Sequence, residues 1–204
     1  MLIKILPVGH LETNCCIVTN ESSLECVIID PGDESNTILD YLESNSLKPA
    51  AIFITHGHFD HVGAVPALED ELNLPVYINE KDCCPDNPRS HLPYRPTANT
   101  RYYDEGDVIE AAGLSFEILA TPGHTPGGVT IKCEDALFTG DTLFHGSCGR
   151  TDLPGGDIDQ ILCSLKKICS LEGDYEVYPG HMDPTTLLRE RTLNYYCRKA
   201  MTEK

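Results

Sequence analysis

Basic side chains are scarce in this sequence, which holds 15 Lys and Arg against 32 Asp and Glu for a formal net charge of −17 at pH 7. The acidic residues form no block of five like charges. A surface of this kind repels phosphate backbones and anionic lipid headgroups. We therefore expect no nucleic acid and no membrane among the partners of the protein.

Long apolar segments are also missing, and the opening residues are not typical of a secretory leader. No apolar run approaches the length that spans a bilayer, and the opening residues MLIKILPVGH have no small-residue cleavage site. The ten cysteines include no CxxC spacing, which argues against a zinc ribbon and a thioredoxin-like motif. We expect reduced cysteines, most of them in the core, and a cytoplasmic location.

The length and composition indicate one domain over residues 1–204. Hydrophobic residues make up 41% of the chain and charged residues 23%, which are close to the averages for globular proteins. No strong repeat, low-complexity tract or linker divides the sequence.

Apolar patterning predicts two β-rich halves, each followed by helices. Strands are predicted at residues 2–8, 15–19, 24–30, 50–55, 75–78, 108–110, 114–120, 128–132, 136–139 and 175–178. Helices are predicted at residues 34–47, 62–72, 157–171 and 184–196. Residues 82–100, rich in Pro, Asn and Arg, are predicted to be a long loop that serves as a lid or a subunit contact. The two halves predict an α/β fold, a four-layer αββα sandwich with two stacked sheets between outer helices.

Three histidines and one aspartate lie within the stretch THGHFDHVG, at a predicted strand-to-helix turn. In an extended segment, residues at i and i+2 face the same way, so His56 and His58 can present both imidazoles to one point. Asp60 and His61 follow where the chain turns into the next helix, and they can face a second point. The spacing HxHxDH thus offers ligands to two metal ions, and a surface turn that is rich in histidine by chance is the alternative.

Three further polar residues follow predicted strands and stand beside glycine. They are His124 in TPGHTPG, Asp141 in FTGDTLF and His181 in YPGHMD. With the first cluster they make seven ligands of the histidine and carboxylate type, which suits zinc, iron or manganese. If two ions share the set, one bridging carboxylate gives each ion four protein contacts, and Asp141 is the predicted bridge.

These motifs, in this order and spread over most of the chain, resemble the metallo-β-lactamase superfamily, whose first motif is matched by Asp30 in IIDPGD. The resemblance implies two ligand groups bridged by Asp141: His56, His58 and His124 for the first ion, and Asp60, His61 and His181 for the second. It makes Asp60 and Asp141 the carboxylates on which catalysis depends. It also implies that Asp30 supports the metal-binding loop through hydrogen bonds.

The run GDTLFHGSCGRTDLPGGD resembles the short glyoxalase II-like hydrolases of that superfamily. The expected function is hydrolysis of a small thioester, such as S-lactoylglutathione or a related acyl-thiol, or of an ester, by a metal-bridging hydroxide. The expected cofactors are two divalent ions, zinc first, with iron or manganese as alternatives. Arg150 is a candidate for binding a substrate carboxylate, and an ion pair with Asp152 or Asp157 is the alternative. His145 is a candidate substrate contact, with simple packing as the alternative.

Two features keep another activity open. Full-length glyoxalase II uses a basic C-terminal helical domain to hold glutathione, and this sequence has one predicted helix after His181. The run CGRTD also resembles persulfide dioxygenases, a family with a single iron held by two histidines and one aspartate. Carried onto this sequence, those ligands are His56, His124 and Asp141, and the function is then that of an oxidoreductase.

Overall fold

The computed structural model describes residues 1–83 and 92–202. The first half forms a six-stranded sheet whose strands lie in sequence order from edge to edge. They are Leu2–Val8 (β1), Thr13–Thr19 (β2), Glu25–Ile29 (β3), Lys48–Phe53 (β4), Val76–Ile78 (β5) and Thr100–Tyr102 (β6). The first three strands pair antiparallel, as the predicted meander requires, and β3 to β6 pair parallel.

The second half forms another six-stranded sheet and a two-stranded ribbon. The sheet contains Val108–Ala111 (β7), Leu114–Ala120 (β8), Val129–Cys133 (β9), Ala136–Gly140 (β10), Glu176–Pro179 (β13) and Thr185–Thr186 (β14), and the ribbon contains Leu143–Phe144 (β11) and Ser147–Cys148 (β12). The spatial order in the sheet is β14-β13-β10-β9-β8-β7. Only the β10–β13 pair is parallel among the strands described there.

Six α-helices and one 3₁₀ turn are present in the described residues. They are Ser35–Ser44 (α1), Phe59–Val62 (α2), Val65–Leu72 (α3), Ile158–Cys169 (α4), Leu187–Leu193 (α5), Tyr195–Thr202 (α6) and the 3₁₀ helix Glu80–Asp82. Within residues 1–83 and 92–202, no helix combines the length and the apolar character that crossing a bilayer requires.

Three hydrophobic clusters separate four layers. Between the sheets, Phe53 of β4 meets Phe116 of β8 edge to face, with ring centroids 4.9 Å apart. On the outer side of the first sheet lie Ile38 of α1 and Leu68 of α3. Leu165 of α4 and the C-terminal helices cover the outer side of the second sheet. The predicted four-layer αββα sandwich is confirmed.

Two predicted helices differ from those in the structure. The helix predicted at 62–72 begins at Val65 as α3, and Val62 is instead the last residue of α2; Pro66, which has no N–H, lies in the first turn of α3. The helix predicted at 184–196 begins instead as the short strand β14 and breaks again at Asn194, whose backbone is extended. Apolar spacing reveals neither difference.

The remaining differences concern short elements. Strands β6, β11, β12 and β14 have two or three residues each, too few for an alternating pattern to register. The loop predicted at 82–100 begins at the last residue of the 3₁₀ helix and ends at the first residue of β6. Its residues 84–91 lie outside the described part of the chain.

Loops at the carboxyl ends of β4, β8, β10 and β13 gather at one edge of the two sheets. Backbone hydrogen bonds hold these loops together: Val129 N donates to Thr55 O at 2.9 Å, and Gly180 N donates to Gly140 O at 2.9 Å. Asn14 N, at the start of β2, donates to Gly180 O at 2.8 Å. The candidate ligands therefore come from strand ends that the sheets already bring together.

Glu190 in α5 joins the β11–β12 ribbon to the C-terminal helices. Its buried carboxylate accepts hydrogen bonds from Gly146 N at 2.8 Å, Thr185 Oγ1 at 2.7 Å and Asn194 Nδ2 at 2.9 Å. Arg189 Nη1 lies 2.6 Å from the same carboxylate. Burial by itself raises the pKa of Glu190, but these hydrogen bonds outweigh burial and lower it below its usual value.

We expect Glu190→Gln to lower the free energy of unfolding by about 2 kcal/mol. The glutamine NH₂ would replace one carboxylate oxygen and would face N–H and O–H donors that need an acceptor. The exposed Glu172→Gln variant is the control and changes it by less than about 0.5 kcal/mol. Since the folded pKa of Glu190 lies below its unfolded value, its contribution is present above about pH 4.3 and is lost as the pH falls through the folded pKa. Urea unfolding at several pH values measures this, and a difference that persists undiminished at about pH 3 would contradict it.

Candidate metal centre

Side chains from both halves of the chain converge where the strand ends meet. Among the described residues, three groups have ligand atoms within 4.8 Å of one another: His56, His58 and His124; His56, His61 and Asp141; and Asp60, His61 and His181. All seven predicted ligands are members. Because His56, His58 and His61 are buried, the histidine-rich stretch is not a surface turn.

The first group is His56, His58 and His124. His124 donates its Nδ1–H to the carbonyl oxygen of Arg150 at 2.7 Å, which fixes the tautomer of the neutral ring and makes Nε2 an acceptor. That Nε2 lies 2.9 Å from Nδ1 of His58. The imidazoles of His56 and His124 are perpendicular, with ring centroids 4.9 Å apart. Three histidine nitrogens thus surround one small volume.

The second group is Asp60, His61 and His181. Asp60 Oδ2 lies 3.2 Å from Nε2 of His181 and 3.8 Å from Nε2 of His61. The other ring nitrogen of His181, Nδ1, lies 3.1 Å from the carbonyl oxygen of Leu11. That contact leaves Nε2 of His181 as the nitrogen that faces the centre.

Asp141 lies between the two groups. Its Oδ1 is 3.4 Å from Nε2 of His61, and its Oδ2 is 3.4 Å from Nε2 of His124. Oδ2 is also 3.6 Å from Nε2 of His181. One carboxylate therefore contacts histidines of both groups, which is the geometry that a bridging ligand needs.

Three buried atoms in the centre have no hydrogen-bond partner among the described residues: His56 Nε2, His61 Nε2 and Asp141 Oδ1. An unsatisfied buried polar atom costs about 1–3 kcal/mol, and a charged one costs more. Two imidazole nitrogens and one carboxylate oxygen directed at the same volume are satisfied by a divalent cation. The side chains present therefore fit the divalent ions that the sequence predicts.

Asp30 holds the histidine-bearing loop from behind. It is buried at the end of β3, and its carboxylate accepts Thr55 N at 2.7 Å and Thr55 Oγ1 at 2.5 Å. The same carboxylate lies 2.9 Å from Nδ1 of His61, and the Thr55 hydroxyl lies 3.2 Å from Nδ1 of His56. Asp30 thus orients His61 directly, and it orients His56 through the Thr55 hydroxyl. Sequence analysis predicted the role of Asp30 but not that of Thr55.

His56 and His58 of the first group have lowered pKa values. Burial, followed by repulsion from neighbouring histidines, lowers the pKa of His56 well below its usual value. Burial, followed by repulsion from His124, lowers the pKa of His58 to about 4. Both rings are neutral at pH 7 and have lone pairs available to a cation.

Histidines of the second group have raised pKa values. Burial lowers the pKa of His61, but Asp30 and Asp141 outweigh it and raise the value well above the usual range. Burial likewise lowers the pKa of His181, and Asp60 and Asp141 outweigh it. Protons therefore compete with a cation at this group, and metal binding there releases protons.

Arg150 and His145 are the two residues predicted to contact substrate. Arg150 is exposed, and its guanidinium forms a double ion pair with Asp152, with Nε–Oδ1 and Nη2–Oδ2 distances of 2.7 Å each. Asp157 instead caps α4. His145 is half-buried in the turn of the β11–β12 ribbon and belongs to none of the three ligand groups found in the described residues. Substrate binding by Arg150 and His145 stays a prediction.

Comparison with known proteins places these features in a family. The sequence model of the Metallo-beta-lactamase superfamily matches residues 8–181. Hydroxyacylglutathione hydrolase GloC of Haemophilus influenzae is 34% identical, over 95% of this chain and 97% of its own length.

Two solved structures are also similar. BLEG-1 B3 metallo-beta-lactamase is 34% identical with a TM-score of 0.87, and the match covers 96% of this chain and 99% of that one. TTHA1623 in a di-iron-bound form is 36% identical with a TM-score of 0.82, over 95% of this chain and 99% of that one.

These matches extend over both β-rich halves, so they include every strand end from which a ligand comes. The four layers are those that the sequence resemblance implied. Since fold, motif order and full-length similarity agree, the chain belongs to the metallo-β-lactamase superfamily.

Proposed function

We propose that the protein is a dinuclear metal-dependent hydrolase of a small thioester. The observation that carries the proposal is the position of Asp141, whose two oxygens each lie 3.4 Å from a histidine nitrogen of a different ligand group. A carboxylate between two groups of three ligands supports two adjacent ions. Zinc is the proposed metal, and the same ligands suit iron or manganese.

S-lactoylglutathione or a related acyl-thiol is the proposed substrate. The Haemophilus influenzae relative, which is named a hydroxyacylglutathione hydrolase, supports this choice. The di-iron form of TTHA1623 supports the proposal of two ions. We also propose that residues 1–204 form a single domain and that the protein is located in the cytoplasm.

Two divalent ions held in this centre would supply a hydroxide nucleophile at neutral pH and a Lewis acid for the thioester carbonyl. The residues of the chain hold and orient the ligands. Acceptors behind the imidazoles, such as Arg150 O for His124 and Leu11 O for His181, keep each Nε2 directed inward. Asp30 performs the same task for His61.

No side-chain nucleophile is needed beside this centre. Burial raises the pKa of the Cys148 thiol to about 11, so this cysteine is protonated and weakly nucleophilic at neutral pH. Burial also raises the pKa of Asp60, but His181 and then His61 outweigh it and bring the value below the usual range. Asp60 is therefore ionised at neutral pH, as a metal ligand must be, and is a poor proton donor.

The centre opens to solvent on the side of the second group. The side chains of Asp60 and His181 are 14% and 22% exposed, whereas those of the first group are buried. The exposed side chain of Leu11 precedes β2, and its carbonyl contacts His181; the exposed Phe59 precedes Asp60. Together with Asp60, these two apolar residues line a small cleft.

The alternative is a single iron held by His56, His124 and Asp141. Such a site leaves the ligand atoms of the second group without an ion, among them the unpaired buried Nε2 of His61. The two readings differ in metal content. Two ions per chain favour the hydrolase, and one iron favours the oxidoreductase.

The proposal predicts that the purified protein releases thiol from S-lactoylglutathione, with a turnover on the order of 10 per second. Bound zinc, iron and manganese are quantified on the same sample, and two ions per chain are expected. Asp60→Ala removes a ligand of the second group and is expected to abolish release, whereas the exposed Asp135→Asn retains it.

The metal content and the thiol release together distinguish the dinuclear hydrolase from the mono-iron oxidoreductase. Two bound ions without thiol release would keep the dinuclear hydrolase and reject this thioester. One iron per chain, with oxygen-dependent consumption of a persulfide, would reject the hydrolase.

Asp141→Ala is expected to lose both ions and to reduce thiol release by at least about 1,000-fold, because its carboxylate contacts both ligand groups. Elemental analysis after dialysis and a progress curve with excess zinc measure the two effects. Two retained ions together with retained activity would refute the bridging role.

A further inference from the structure

Asp82 is a fully buried carboxylate outside the predicted ligand set. It is the last residue of the 3₁₀ helix that follows β5, and its side chain is 0% exposed. Burial raises its pKa above the usual value, against three hydrogen bonds that act in the opposite direction. A carboxylate in such a position is retained only where the surrounding groups require it.

All three of these hydrogen bonds join Asp82 to loops that carry first-group histidines. Oδ2 accepts Gly57 N at 2.9 Å, between His56 and His58. Oδ2 also accepts Thr125 Oγ1 at 2.7 Å, directly after His124. Oδ1 accepts the nearby Gly127 N at 2.6 Å.

These two loops belong to different sheets. The loop with Gly57 follows β4 of the first sheet, and the loop with Thr125 and Gly127 connects β8 to β9 of the second. Asp82 is hydrogen-bonded to both. The Asp82 side chain therefore joins the segment that carries His56 and His58 to the segment that carries His124, in addition to the Val129 N–Thr55 O hydrogen bond.

Asp82 lies so close to the main chain of both loops that glycine is required at positions 57 and 127. A Cβ at position 57 would lie 2.3 Å from the carbonyl oxygen of Asp82, and a Cβ at position 127 would lie 2.6 Å from its Oδ1. Contacts of this length are excluded for real Cβ atoms. Any larger residue at position 57 or 127 would therefore push its loop away from Asp82.

The second ligand group is held by other residues. His61 is bound by Asp30, His181 by the carbonyl of Leu11, and Asp60 by the Thr13 hydroxyl at 3.4 Å. None of these supports of the second group involves Asp82, although Asp30 also reaches His56 of the first group through Thr55 and the two groups share Asp141.

We propose that Asp82 is a positioning residue that sets the geometry of the first metal group and thereby controls the affinity of one of the two ions. The inference rests on the proposed metal centre. It assigns to Asp82 a selective effect, which a residue that only stabilises the fold would not have.

Two variant proteins, each with one ligand group disabled, allow metal binding to be measured at one group at a time. His181→Ala disables the second group and His58→Ala disables the first, so each protein presents one site to zinc or cobalt in a calorimetric titration after chelation. Asp82→Asn is then added to each. We expect it to weaken metal binding about 10- to 100-fold in the His181→Ala background and by less than about threefold in the His58→Ala background.

Further measurements separate positioning from folding. Cobalt absorption in the visible region is expected to change in the His181→Ala background only, because the ligand geometry of the first group changes. Glu80→Gln, an exposed carboxylate of the same 3₁₀ helix, is the matched control and is expected to leave both affinities unchanged. If Asp82→Asn does not fold, Thr125→Val removes a single donor and is expected to weaken the first site alone by a smaller factor.

The proposal would be overturned by equal weakening in both backgrounds, or by unchanged affinities with a lower free energy of unfolding. Thioester hydrolysis is not used in this test, so rejection of that substrate leaves the role of Asp82 intact. A chain that takes up no metal in either background and none without substitutions would overturn the metal centre itself.

Discussion

His56, His61 and Asp141 each have one buried atom without a hydrogen-bond partner among the described residues, and the rest of the structure depends on this constraint. Hydrophobic burial elsewhere brings strand ends together, and here it brings imidazole and carboxylate groups together in such a way that one atom of each of these three side chains has no hydrogen-bond partner among the described residues. Such a cluster is unfavourable unless cations occupy it. The two sheets therefore provide a rigid frame that holds a locally unfavourable arrangement ready for metal ions.

Four of the histidines, His56, His61, His124 and His181, are restrained from behind by a hydrogen-bonding group. Asp30 at the end of β3 restrains His61, and the Thr55 hydroxyl passes the same restraint to His56. Glu190 performs a related task at the outer end of the second sheet, where it fixes the ribbon that follows Asp141. Rigidity of the ligands is thus distributed over side chains that never face the centre.

The sequence predicted the four layers and the seven side chains that converge, because both depend on local patterns. Strands alternate or run apolar, and ligands such as His124 and His181 follow strands beside glycine. Asp82 was not predictable in this way, since it accepts hydrogen bonds from main-chain N–H groups 25 and 45 residues distant, and any residue carries those groups. The break at Asn194 was missed for a similar reason, because its side chain bonds the carbonyl oxygens of Phe144 and Ser147 in a distant ribbon.

Two of the ligand histidines are oriented by carbonyl oxygens of the main chain rather than by side chains. Arg150 O receives His124, and Leu11 O receives His181, while both side chains point into solvent. Evolution can therefore replace the side chains at positions 11 and 150 without disturbing the ligands behind them. A change of these two side chains would therefore alter the surroundings of the centre and leave the orientation of His124 and His181 intact.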